Sequence, residues 1–67
     1  MFDRLSVEQH LIFYSMVKGI KIELIKKIVD QTIKKLDLVD HKHKTADSLS
    51  GGNKRKLQVA IAIIGNP

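Results

Sequence analysis

Three stretches of the chain repeat apolar residues at helical spacing, and polar or turn-forming residues separate them. The first opens on Ser6-Val7-Glu8-Gln9, which fits a capping box, with Leu5 placed to staple onto the helix. Gly19 follows Lys18 as a left-handed stop, so the spacing predicts a helix over 7–18. At roughly 100° per residue, Val7, Leu11, Ile12, Phe13, Tyr14, Met16 and Val17 cover most of its circumference. A helix apolar over so wide an arc expects partners on more than one side.

The second stretch predicts a helix over 22–36. Ile22, Ile25, Ile28, Val29, Ile33 and Leu36 share one face, and Lys27, Asp30, Gln31, Lys34 and Asp37 lie opposite. Glu23 with Lys27 and Asp30 with Lys34 are spaced as i,i+4 ion pairs. Leu38 and Val39 are expected to close the core behind it. Residues 40–52 are polar and predict a loop. A third helix is expected from Gly52 or Asn53 to Ile64, ended by Gly65-Asn66-Pro67. Beyond its first turn it carries Leu57, Val59, Ala60, Ile61, Ala62, Ile63 and Ile64, apolar all round except for Gln58. Such a helix is normally central in a larger protein. No strand, internal repeat or low-complexity segment is visible. The class is all-α, and three helices of this length cannot cover the third on every side.

Length and charge narrow this further. Sixty-seven residues allow one small domain or part of one. Without cysteine, disulfide frameworks, cysteine-zinc sites and thiolate catalysis are excluded. No apolar run approaches the roughly 18–20 residues that cross a bilayer. Asp3 and Arg4 near the start interrupt any signal-peptide pattern, so a soluble chain on the cytosolic side is expected. The net charge of +5 raises the question of an anionic partner.

The segment richest in chemistry is Leu49-Ser50-Gly51-Gly52-Asn53-Lys54-Arg55-Lys56-Leu57. Two glycines let a backbone approach a ligand closely and adopt positive φ. They stand where a helix begins, and the unpaired N–H groups and positive dipole end there favour an anion. Ser50 adds a hydroxyl donor. Lys54, Arg55 and Lys56 oppose the helix dipole unless an anion, most naturally a phosphate, is bound. Taken by itself, a Ser-Gly-Gly run before a helix is more often a flexible entry than an anion site.

The same run, followed by a basic turn and the small-apolar stretch Val59-Ala60-Ile61-Ala62, resembles the signature motif of ATP-binding cassette (ABC) transporters. Arg55-Lys56-Leu57 is similar to the A subfamily in particular. Phe2-Asp3-Arg4-Leu5-Ser6-Val7-Glu8-Gln9-His10-Leu11 resembles the segment after that family's Q-loop, and Phe13-Tyr14 and Lys18-Gly19 stand at matching distances. The resemblance runs over essentially all 67 residues. It implies a three-helix subdomain (1–67, signature loop 48–53) excised from an α/β P-loop ATPase domain. In that family two nucleotide-binding domains close head to tail around ATP, and the signature of one faces the γ-phosphate held by the other. The resemblance thus implies γ-phosphate contacts from Ser50, Gly51, Gly52 and Asn53, supported by Leu49 and Lys54. It also implies ATP as cofactor and coupling of its hydrolysis to membrane transport, commonly of lipid. The partners would be a second nucleotide-binding domain and a transmembrane domain, at the cytosolic face of a membrane. Asn53 departs from the common glutamine and is one carbon shorter.

No phosphate loop of the Gly-x-x-x-x-Gly-Lys-Ser/Thr type is present, no apolar strand ends in Asp-Glu, and no Q-loop glutamine or switch histidine can be assigned. In the family the acidic strand begins just after a segment like Gly65-Asn66-Pro67. Magnesium would come from residues outside the chain, and the 67 residues alone are expected not to hydrolyse ATP. His41 and His43 lie in a polar loop near Asp40 and Asp47, and a solvated loop outweighs a metal site there. His10 is expected on the surface. Phe13, Tyr14 and Met16 are expected in the core, with a contact to the coupling helices of a membrane domain as the alternative. Lys26, Lys27, Lys34 and Lys35 read as a solvated face, or as one turned toward an anionic membrane surface. The competing class is a small basic helical module binding nucleic acid, but no helix collects base-reading side chains on one face. A surface-binding amphipathic peptide is disfavoured by three capped helices.

Overall fold

The computed structural model describes residues 2–65. In it the chain forms three helices, α1 (Val7–Lys18), α2 (Ile22–Lys35) and α3 (Gly51–Gly65). Short 3-10 turns at Val39–His41 and Ala46–Ser48 interrupt the connection between α2 and α3. Among the described residues there is no strand, only an isolated antiparallel bridge between Ser6 and Thr45. The stop expected at Gly65-Asn66-Pro67 falls partly outside the described residues, and Gly65 itself is helical.

The start of α1 is fully accounted for. Ser6 Oγ accepts the Gln9 N–H at 3.1 Å, and Gln9 Oε1 accepts the Ser6 N–H at 2.9 Å. The two remaining first-turn donors, the N–H groups of Val7 and Glu8, reach the carbonyls of Lys44 and Lys42, each at 3.1 Å. The loop before α3 is thereby stitched to α1. The helix ends at Gly19, whose φ of 85° is open to glycine at no steric cost. Its N–H returns to Met16 O while Ile20 N–H returns to Ser15 O. α2 closes in the same way without a glycine. Asp37 takes φ 57°, donating to Lys34 O, and Leu38 donates to Ile33 O. Aspartate is among the few residues with a side chain that tolerate this conformation.

One core forms where α1 packs on α2 and α3. Val7 and Leu11 meet Ile25, Val29 and Ile33 from α2 and Leu57, Ala60 and Ile64 from α3, with Leu38, Ala46 and Leu49 completing it from the connection. The radius of gyration, 10.7 Å, matches the roughly 11 Å of a folded domain this long. Two buried hydroxyls are satisfied locally: Ser15 donates to Leu11 O and Thr32 to Ile28 O.

Several expectations are corrected. Phe13 and Met16 are exposed rather than in the core, and Tyr14 is half-buried. Val17 and Ile22 are about 70% exposed (69% and 71%), and Val39, Val59 and Ile63 also face outward. The reason is geometric: two neighbours cover one side of α1, and no described residue covers the rest of its apolar arc. His10, expected on the surface, has no exposed area. Its Nδ1 donates to Ser6 O at 2.8 Å and its Nε2 accepts the Phe2 N–H at 2.9 Å, so both ring nitrogens are paired and burial costs little. The two i,i+4 pairs expected on α2 are replaced by a longer-range arrangement. Lys42 Nζ lies 3.2 Å from Glu8 and 3.5 Å from Asp30, joining the connection to α1 and α2.

The hydrogen bond and charge of Glu8, with Asp30 adding its charge, raise the Lys42 ammonium above its usual 10.5. A raised folded value means the stabilisation is fully present below the unfolded pKa and is lost as pH climbs through the folded one. Thermal melts are therefore expected to show the wild type losing ground to Lys42→Met only above about pH 10.5. Parallel curves through that range would contradict it.

Candidate functional site

The segment expected to carry chemistry lies at the start of α3. Leu49 is buried and anchors it in the core, while Ser50, Gly51 and Gly52 are exposed. Ser50 caps the helix: its Oγ accepts the Asn53 N–H at 3.2 Å and its carbonyl accepts the Lys54 N–H at 2.8 Å. As acceptor, the hydroxyl keeps its own proton available for an outside group.

This cap moves the helix start. The sequence predicts a start at Gly52 or Asn53, with the glycines free to adopt positive φ. Instead both glycines lie in the first turn of α3, and among glycines positive φ occurs only at Gly19. A serine N-cap fixes the helix boundary one residue after itself, which draws the glycines in. Neither glycine is there to relieve crowding either, since a Cβ added to Gly51 or Gly52 would meet nothing within 4 Å. Glycine in a helix is less stable than alanine by up to about 1 kcal/mol, so nothing inside the fold favours two in succession.

Among the described residues, the Gly51 and Gly52 N–H groups have no partner within the chain. The first turn of α3 holds no acidic residue, whereas α1 has Glu8 and α2 has Glu23 there. Lys54 and Lys56 are half-buried and Arg55 is exposed, and among the described residues none lies within ion-pair distance of a carboxylate. Open donors, a positive helix end and unneutralised cations coincide at one exposed turn. That arrangement suits an anion supplied from outside.

One neighbour of the turn was not anticipated. Asn53 Nδ2 lies 3.2 Å from His41 Nε2, which ties α3 to the 3-10 turn Val39–His41. Twelve positions separate the two residues, and no spacing rule connects a loop histidine to a helix start. The three histidines go separate ways: His10 into the core, His41 to Asn53, and His43 outward with Glu8 at 4.0 Å. Among the described residues no group of three or more His, Asp or Glu side chains is placed to hold a metal.

Of the expected coupling-contact residues, Phe13 and Tyr14 pack on each other, and Met16 lines a separate groove. Met16 lines a groove of about 340 Å³ between α1 and α2, with Ile12, Ile22 and Ile25. Phe13 turns to an aromatic cluster, edge-on to Phe2 at 5.5 Å and to Tyr14 at 5.2 Å. A second cleft, about 390 Å³, lies beside α2 between Lys27, Lys34, Val39 and Lys42. Neither hollow adjoins the glycine turn. Lys26, Lys27, Lys34 and Lys35 are all exposed. No helix among the described residues is long and apolar enough to cross a membrane.

No protein-family model matches the chain. Individual proteins do. ATP-binding cassette sub-family A member 2 of Homo sapiens is 49% identical over 65 residues, 97% of this chain and 3% of that protein. The glucosylceramide transporter ABCA12 of Mus musculus is 42% identical over 97% of this chain and 2% of its own length. The phospholipid-transporting ATPase ABCA3 of Rattus norvegicus is 41% identical over 64 residues, 96% of this chain and 4% of its own. The chain thus spans only a few per cent of the length of these curated relatives. Identity of this order along nearly the whole chain, to several transporters of one subfamily, marks the 67 residues as a segment of ABC transporter subfamily A descent.

Proposed function

We propose that residues 1–67 are the helical subdomain of an ABC nucleotide-binding domain, and that Ser50, Gly51, Gly52 and Asn53 face the γ-phosphate of ATP held by a second such domain. Leu49 anchors this turn and Lys54 adds charge behind it. Magnesium and the hydrolytic groups come from outside these residues. ATP binding and hydrolysis then drive transport, of lipid on the pattern of the relatives' names, through a transmembrane domain at the cytosolic face of the membrane. Of the residues expected to meet the coupling helices, Met16 fits best, because it lines a groove that is open to solvent.

The observation that carries the reading is the pair of exposed glycines in helical geometry, with free N–H groups and nothing near their missing side chains. Inside the fold they are a cost, and a phosphate approaching from outside makes them useful. Gly51→Ala separates these effects. In the chain itself the substitution is expected to raise stability by about 0.4–1 kcal/mol, because alanine restricts the unfolded state and suits the native φ. Tm should rise by roughly 2–8 °C. In a subfamily A transporter carrying this segment in one nucleotide-binding domain, the added methyl is expected to cut ATP-driven transport about tenfold or more, since small displacements of a reacting group are costly. A stabilised variant with undiminished transport would remove the phosphate from this turn.

A further inference from the structure

His41 is half-buried at the end of the 3-10 turn Val39–His41, and its two ring nitrogens stand in different situations. Nε2 accepts from the Asn53 amide at 3.2 Å, which puts the ring proton on Nδ1. Nδ1 is buried and has no partner among the described residues. A buried donor left unpaired costs at least as much as a neutral hydrogen bond returns. The stability of the fold therefore gives little reason for the ring to sit as it does.

Asn53 supplies a reason. It is the third residue of α3, and its backbone N–H already rests on Ser50 Oγ. With its amide on His41, it is held at both ends. His41 in turn stands on fixed ground. Its N–H donates to the carbonyl of fully buried Leu38, and its own carbonyl accepts the Lys44 N–H, each at 3.0 Å. The next residue, Lys42, accepts the Glu8 N–H and pairs with Glu8 and Asp30. A continuous set of bonds runs from α1 and α2 through residues 41–42 to the first turn of α3.

We propose that His41 is a positioning residue which, through the Asn53 amide, fixes the first turn of α3 against α1 and α2, so that the Ser50 hydroxyl and the Gly51 and Gly52 N–H groups are set in advance for a phosphate. The proposal rests on the reading of that turn as phosphate-facing. It also gives residue 53 a role that its short side chain can fill: the amide braces the turn from inside.

Two measurements test it. In the labelled chain, nitrogen NMR is expected to show His41 as the neutral Nδ1–H tautomer with Nε2 accepting, and one Asn53 side-chain proton protected from exchange. The opposite tautomer with a freely exchanging amide would overturn the proposal whatever the function. In a subfamily A transporter carrying the segment, His41→Ala is expected to raise the KM for ATP about two- to tenfold, the span of one neutral hydrogen bond, with kcat little changed. His41→Gln, which keeps an acceptor, should restore most of that loss. In an Asn53→Ala background His41→Ala should add nothing further. Additive effects would overturn the coupling. If His41→Ala does not fold, His41→Gln and Asn53→Ala carry the comparison. An unchanged KM beside an impaired Ser50→Ala would refute the role of His41 alone. If Ser50→Ala is silent as well, the phosphate reading falls and this proposal with it.

Discussion

Leu57→Ala is expected to unfold the chain. Leu57 has no exposed area, and it lies on the α3 face packed against α1. Truncating a buried leucine removes its transfer free energy and leaves a cavity, together about 2–5 kcal/mol. A domain below roughly 70–80 residues with one core and no staples commands only about 3–5 kcal/mol in all. No disulfide is available here, because the chain has no cysteine. The far-ultraviolet circular dichroism of Leu57→Ala at room temperature should therefore show most of the helical signal gone, or a urea midpoint near zero. Ile63, on the same helix but 41% exposed, is the control. Ile63→Ala should shift stability by no more than about 0.5 kcal/mol, as surface substitutions do. If the two variants melted alike, the assignment of the buried and open faces of α3 would be wrong.

Ser50→Ala is expected to impair ATP-driven transport about tenfold to a hundredfold in a subfamily A transporter carrying this segment. A hydroxyl donating to a charged phosphate oxygen is worth about 1.5–3 kcal/mol. Ser50 is exposed, and its oxygen already accepts the Asn53 N–H, so the proton is left for an outside acceptor. The same change removes a helix cap and should lower the stability of the chain by about 0.5–2 kcal/mol. The two effects separate with Ser50→Asp. Aspartate also caps the helix, so stability should return. Its negative charge would face the phosphate, so transport should stay low. Recovery of transport along with stability would mean that Ser50 acts only as a cap.

The helices that the periodicity predicts are the ones that form. Both ends of α1 follow from residues in the sequence, Ser6 with Gln9 at the start and Gly19 at the finish, because caps are local hydrogen-bonding devices. The end of α2 was less legible, since Asp37 stands where a glycine would have announced the left-handed turn. The width of the apolar arc of α1 is plain in the sequence, but the part of it that meets the core is not. Periodicity reports how wide an apolar face is, and neighbours decide which side of it is used. His10 shows the same limit: its burial depends on the Phe2 N–H arriving at its ring, which no pattern around residue 10 foretells.

The candidate site divides along the same line. Its residues, Leu49 to Lys54, are contiguous, so composition and order alone singled them out. The helical class, the caps of α1 and the family resemblance are legible in the same way, because each depends on neighbours along the chain. Three features are visible only in the folded chain: the two glycines are helical with their N–H groups open, Lys42 joins Glu8 to Asp30, and His41 reaches Asn53. Those contacts join residues between 12 and 34 positions apart, or depend on what fails to approach a surface. Both are set by how the three helices pack around one core.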